Sequence, residues 1–168
     1  NKSTINLNSK DGFALDDTST ALNLNNVKLE GNDTALITAT TSKATIGIAD
    51  SIIDGNIQGA GNRINFSGTS ELNGNITNGS VENIGTLIAN GTISGKVTNK
   101  TDSKLTANGA ITGDVENSGT FYANSSVKGK VTNNTDSKLT ADGAITGDVE
   151  NSGTFYANSS IDGKVTNN

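Results

Sequence analysis

The side chains able to do chemistry are few in kind. The chain has 17 acidic and 12 basic residues but no histidine and no cysteine. The commonest general base, the commonest metal ligand and all thiolate chemistry are therefore missing together. Acid–base work would fall to carboxylates and lysines, and five of these recur at regular spacing: Lys96, Asp114, Lys130, Asp148 and Lys164. Glycan cleavage by such groups needs a compact pair of carboxyl groups on one face. Asp114 and Asp148 instead stand alone in copied segments, and tandem copying multiplies a position without building a cluster. No HExxH, GxSxG, Walker-type or calcium-binding GGxGxDxUx sequence occurs. These residues predict no catalytic site, no metal and no cofactor.

The remaining side chains of interest are aromatic and amide. Tyr122 and Tyr156 are the only tyrosines, and they share a position in a unit written twice: residues 97–130 and 131–164 differ only at Lys100/Asn134, Asn108/Asp142, Val127/Ile161 and Lys128/Asp162. Near-identical copies at a fixed period imply a stacked, quasi-one-dimensional architecture, in which each unit buries its apolar face against its neighbours.

A five-residue signature divides that unit further: IDGNI (53–57), LNGNI (72–76), ISGKV (93–97), ITGDV (111–115), VKGKV (127–131), ITGDV (145–149) and IDGKV (161–165). From Ile93 onwards it recurs in alternating steps of 18 and 16 residues, so each repeat is two coils. Alternation puts Ile145, Gly147 and Val149 on one side and Thr146, Asp148 and Glu150 on the other, with Phe155 and Ala157 flanking an outward Tyr156. The apolar set is interior because the opposite set is charged. Short strands that each pair with the equivalent strand of the next coil describe an all-β fold, a right-handed parallel β-helix or β-solenoid with coils of about 16–24 residues. A left-handed hexapeptide solenoid would need apolar residues every six positions, which the four-then-six spacing of 145, 149 and 155 does not supply.

Residues 1–92 read as irregular coils of the same solenoid and 93–168 as regular ones. LNLNNVKLEG at 22–31 aligns with IGIADSIIDG at 46–55, matching Leu22/Ile46, Leu24/Ile48, Leu29/Ile53 and Gly31/Gly55. Period-two pairs such as Ile5 with Leu7 and Val27 with Leu29 predict strands. Ser9-Lys10-Asp11-Gly12, Asp16-Asp17, Gly31-Asn32-Asp33 and Gly59-Ala60-Gly61-Asn62 predict the turns between them.

Stacked coils convert each repeat position into a column. Asn83, Asn99, Asn117, Asn133, Asn151 and Asn167 fall inward at a turn, where amides can hydrogen-bond from coil to coil as a structural ladder. Lys96, Asp114, Lys130, Asp148 and Lys164 form an outward column of alternating sign that would favour in-register stacking. Tyr122 and Tyr156 lie outward on a strand shared with Thr106 and Thr140, and an exposed row of this kind is the candidate partner contact.

Composition bounds the partners. The chain is 32% hydrophobic and 4% aromatic, and a globule of this composition would have a thin core. Disorder is the competing reading of so much Gly, Ser, Asn and Thr, but the regular Val/Ile/Leu spacing in a chain without proline opposes it. A net charge of −5 and a single arginine, Arg63, oppose nucleic-acid binding. No run of apolar residues is long enough for a membrane span.

The segments LNNVKLEGNDTALITA, ATIGIADSIIDGNIQG, VENSGTF, ANGTISGKV and SGTFYANSS resemble passenger regions of bacterial autotransporter adhesins, the AIDA-like proteins of type V secretion. This likeness is one of repeat style and spans most of the chain. It implies a right-handed β-helix displayed on the surface of a Gram-negative cell, with attachment to host cells or matrix, aggregation or biofilm formation as its role. The implied partners are a host surface or matrix protein, a glycan, or another copy of the chain. The signal peptide, terminal stabilising coils and β-barrel translocator of that family are not in this sequence, and Asn168 falls four residues into what would be a third copy, so the chain reads as part of a longer protein. GAITGDV and GKV show a weaker likeness to bactofilins, cytoskeletal β-helices. Two other functions are compatible with the fold: a structural spacer or self-associating filament, and a carbohydrate-active β-helix enzyme.

Overall fold

The computed structural model describes residues 2–7, 12–16 and 21–168, with the backbone alone at 32–34. The expected turns at 9–11 and at Asp17 lie outside the described residues. Every described regular element is a strand, and all named pairings are parallel. The chain is a parallel β-helix: an 11-stranded sheet and a 9-stranded sheet run along one axis. A third line consists of single-residue bridges linking Ile76, Ile93, Ile111, Val127, Ile145 and Ile161. One coil of the regular part runs from the bridge residue Ile111 to the strand Val115–Asn117 in the smaller sheet. It then crosses to Thr120–Ala123 in the larger sheet and returns to the next bridge residue, Val127.

Register follows the repeat. Val97 pairs with Val115, then Val131, Val149 and Val165. In the larger sheet Leu105, Phe121, Leu139 and Phe155 are partners in turn. Because like positions stack, the core is a set of apolar columns: Ile111, Val115, Phe121 and Ala123 of one coil are fully or almost fully buried, as are Ile145 and Val149 later. Each side chain thus meets its own kind above and below. A composition poor in aromatics still fills a core that is only one coil wide.

In the irregular part Leu22 pairs with Ile46, Leu24 with Ile48 and Leu29 with Ile53, the alignment expected from the sequence. Two expectations require correction. Gly31-Asn32-Asp33 does not end a strand, because Val27–Ala39 is one strand whose register against Ile52–Gln58 shifts between Glu30 and Ala35. The extra residues are taken up as a bulge, and Leu36 folds over Gly31 and Gly55: a Cβ on either glycine would lie 2.5 Å from a Leu36 side-chain carbon.

The signature also merges two different corners. LNGNI at 72–76 is not equivalent to ISGKV at 93–97, since Leu72 pairs with Ala89 and Ile76 bridges Ile93. Its counterparts are Ala89–Ile93, Ala107–Ile111, Ala123–Val127 and Ala141–Ile145. The ISGKV and ITGDV segments form the next corner, where they are not continuous strands: a bridge residue, a bend at glycine, then a strand. The glycine is required by close approach. A Cβ at Gly113 would sit 2.3 Å from the Gly95 carbonyl oxygen, so the backbones of successive coils touch there.

Candidate functional site

Inward asparagine positions the corner between the two sheets. Asn83 donates from Nδ2 to Oδ1 of Asn99 at 2.8 Å, Asn99 to Asn117 at 2.8 Å, and Asn117 to Asn133 at 2.7 Å. The series continues from Asn133 to Asn151 at 2.8 Å and from Asn151 to Asn167 at 3.0 Å. The ladder starts at Asn83 because Phe66 holds the same register one coil earlier. Each amide also meets backbone: Asn117 Nδ2 donates to the carbonyls of Gly119 and Lys138, and Gly119 N–H donates to its Oδ1. Among the described residues no buried side-chain nitrogen or oxygen lacks a partner. This ladder ties the ends of the smaller sheet's strands to carbonyls of the larger sheet, as Asn99 does to Thr120 and Asn117 to Lys138.

The outward face of the larger sheet is the surface that this scaffold presents. Thr106, Tyr122, Thr140 and Tyr156 are successive register partners, and beside them run Lys104, Thr120, Lys138 and Thr154. The four predicted contact residues therefore lie in one row. The structure adds two cations that sequence reasoning did not include. The Lys104 ammonium lies 5.3 Å from the Tyr122 ring centre, and Lys138 lies 5.8 Å from Tyr122 and 5.4 Å from Tyr156. Lysine and tyrosine interleave along the axis because their positions are two residues apart on strands one coil apart, within reach of a long side chain. Tyr122 is half-buried by these neighbours, whereas Tyr156, on the last strand of its sheet, is 53% exposed. The 120-to-138 spacing of Thr and Lys was the available signal.

From Val81 onwards charge is divided between the two sheets. The outward positions of the larger sheet from Thr86 to Tyr156 carry Lys104 and Lys138 and no carboxylate. The outward positions of the smaller sheet carry Glu82, Glu116 and Glu150, alternating with Thr98, Thr132 and Thr166. A chain of net charge −5 thus shows one cationic, aromatic strip.

The column Lys96, Asp114, Lys130, Asp148 and Lys164 is present, but its expected Lys–Asp pairing is corrected. Lys96 reaches Glu116 at 2.9 Å and Lys130 reaches Glu150 at 2.7 Å. The shorter Asp114 and Asp148 side chains accept the backbone N–H of Lys130 and Lys164, each at 2.9 Å. Aspartate is too short to leave the corner and captures the nearest amide, while lysine is long enough to cross to the strand. The Lys96 hydrogen bond and charge hold the Glu116 carboxyl below the usual carboxylate range. Near the other end of the chain, hydrogen bonds to Asp54 and then Glu30 raise Lys28.

Two features escaped sequence reasoning. One is a second amide ladder on the exposed corner after the larger sheet: Asn90 donates to Asn73 at 2.6 Å, Asn108 to Asn90 and Asn124 to Asn108 at 2.7 Å each, and Asn158 to Asp142 at 2.7 Å. It runs opposite to the buried ladder. Asp142, one of the four differences between the copies, has no hydrogen to give Asn124 and interrupts it. The other is a polar groove of about 620 Å³ between the projecting turns at Thr101-Asp102 and Thr135-Asp136, floored by Ser118 and Gly119. The 18-residue coils spend their extra residues on these turns, where Asp102 and Asp136 take positive φ of 60° and 62°. Lys104 lines the groove and also stands over Tyr122, so groove and strip are continuous.

Comparison with family models, curated proteins and solved structures finds no match to this chain.

Proposed function

We propose that this chain is an adhesive segment of a bacterial surface protein, in which the β-helix is both stalk and binding surface. The observation that carries this reading is the strip Lys104–Tyr122–Lys138–Tyr156. It is a cationic and aromatic row on a chain that is otherwise acidic, and its charges are set against tyrosine rings, with no carboxylate among the outward positions of its sheet from Thr86 to Tyr156. Tyrosine supplies large contact area with little rotamer freedom to lose, and a neighbouring ammonium supplies attraction for an acidic group. The strip suits an anionic partner, either a host or matrix protein or a glycan, and its action is binding without covalent chemistry. Extracellular display on a Gram-negative cell is part of the same proposal and rests on the resemblance to autotransporter passengers.

Beads coated with the chain and applied to immobilised extracellular matrix test the assignment. Tyr122→Ala with Tyr156→Ala should reduce bead retention and leave far-UV circular dichroism unchanged. Undiminished retention would remove the strip as the contact.

A second reading, a spacer or self-associating filament, draws support from the two ladders, which make length and stiffness from repetition alone. Sedimentation of the chain over a range of concentrations separates the two, because concentration-dependent assembly belongs to the filament.

A further inference from the structure

The sequence contains four Asn-Gly dipeptides, Asn73-Gly74, Asn78-Gly79, Asn90-Gly91 and Asn108-Gly109. In such a pair the glycine nitrogen can attack the asparagine side chain with little steric hindrance, because the residue that carries the nucleophile has no Cβ. The fold treats the four differently. Asn73, Asn90 and Asn108 belong to the exposed ladder: Asn73 donates to Asp54 at 2.5 Å and accepts from Asn90, and Asn90 donates to Glu71 at 3.0 Å and accepts from Asn108. Asn108 in turn accepts from Asn124, and the Gly109 amide is itself committed to the Ala89 carbonyl at 3.2 Å. To bring Cγ to the following nitrogen, each of these three side chains must first leave two or more hydrogen bonds.

Asn78 stands apart. It is exposed, it sits at φ 50°, and among the described residues its side chain makes no hydrogen bond; only its backbone is held, by Ser94 Oγ on its N–H and by the Gly61 N–H on its carbonyl. Gly79 is buried, unlike the half-buried Gly74, Gly91 and Gly109, and its nitrogen donates to no acceptor among the described residues. Electrophile and nucleophile are adjacent and neither is restrained by a competing bond.

We infer that Asn78 is the site at which the folded chain undergoes spontaneous deamidation, and that the exposed amide ladder protects the other three Asn-Gly pairs. Gly79 N gives up its proton to base and attacks Asn78 Cγ, the carbon of an exposed side chain. The new C–N bond closes a five-membered succinimide, and the Cγ–Nδ2 bond breaks with loss of ammonia. Water then opens the ring. Cleavage of the Cγ–N bond leaves aspartate, and cleavage at the α-carbonyl leaves isoaspartate, with the backbone routed through the side chain. No oxidant or reductant is involved. The product carboxylate enters the corner groove that Asn78 shares with Ser94 and Lys96, and isoaspartate also lengthens the backbone at a corner that receives Gly61. Carboxylate at the Asn108 position is already compatible with the fold, as Asp142 shows in the second copy. This inference does not depend on the adhesive reading.

The 168-residue chain, aged in warm, mildly alkaline buffer and mapped by peptide mass spectrometry with isoaspartate detection, tests it. In the folded chain Asn78 should convert at least about tenfold faster than Asn73, Asn90 or Asn108, since their side chains must first give up ladder bonds. In urea-unfolded chain the four should convert at comparable rates. Asn90→Ala, which removes one ladder bond from each neighbour, should accelerate conversion at Asn73 and Asn108. Equal rates at the four sites in folded protein, or an Asn78 that stays intact while the unfolded chain reacts, would overturn the site. Unchanged rates at Asn73 and Asn108 in the Asn90→Ala chain would overturn the protection.

Discussion

Truncating Asn117 to alanine should be among the most damaging single changes to the regular coils. Its Oδ1 accepts from Asn99 Nδ2 at 2.8 Å and from the Gly119 N–H at 3.3 Å, and its Nδ2 reaches Asn133 Oδ1 at 2.7 Å, Lys138 O at 3.0 Å and Gly119 O at 3.1 Å. Two of the abandoned groups keep other partners: the Asn99 amide still donates to Thr120 O, and Asn133 Oδ1 still accepts from Ser137 Oγ. The half-buried Gly119 N–H loses its partner beside Asn117, which is wholly buried. With about 1 kcal/mol for each net hydrogen bond and about 1–3 kcal/mol for a buried group left unpaired, the loss comes to about 3–5 kcal/mol. Asn124→Ala is the control, because it removes a ladder bond of 2.7 Å that is exposed, where water replaces it for about 0.5 kcal/mol. Urea unfolding followed by far-UV circular dichroism gives the two values. Amide hydrogen exchange in Val97–Asn99 and Val131–Asn133 reports whether the loss is local to the adjoining coils. A difference between the two variants below about 1 kcal/mol would refute the reasoning that burial makes the inner ladder the stronger one.

Two further changes test other parts of the account. Lys96→Met should return the Glu116 carboxyl upward toward its usual range, as read by NMR titration of the side-chain carbon. Because Glu116 is depressed in the folded chain, the stabilisation from this pair is present above the unfolded carboxyl's pKa and lost as pH falls through the folded one, so the variant should show a smaller loss of stability on acidification. Gly113→Ala should cost about 3 kcal/mol in urea unfolding, since the added methyl meets the Gly95 carbonyl at 2.3 Å and backbone must move; a neutral result would mean that the corners are not in contact.

Much of this fold is legible in the sequence because stacking makes a repeat position a physical column. The alternation of Val149 with Glu150, and the recurrence of Asn at the end of each V-x-N segment, place the core and the buried amides without any knowledge of tertiary contacts. What alternation misses lies at corners. It carries the faces of ITGDV through without a break, whereas Gly147 turns the chain between a bridge residue and a strand; and it reads Gly31-Asn32-Asp33 as a turn, whereas the strand bulges and Leu36 fills the space. Side-chain reach is the other missing quantity. Lys96 and Asp114 occupy one column, but the lysine is long enough to find Glu116 and the aspartate settles on a backbone amide. The same reach draws Lys104 and Lys138 onto the tyrosines, which changes the candidate site from an aromatic row to a cationic and aromatic strip.

The central functional claim, that contact is made by the larger sheet's strip and not by the acidic smaller sheet, is tested most directly by comparing the two faces in one adhesion assay. Beads carrying Tyr122→Ala with Tyr156→Ala should lose retention on extracellular matrix. Beads carrying Glu116→Gln with Glu150→Gln on the smaller sheet should keep it, both chains having the circular dichroism of the parent. Equal retention by the two, or a loss confined to the glutamate variant, would contradict the account.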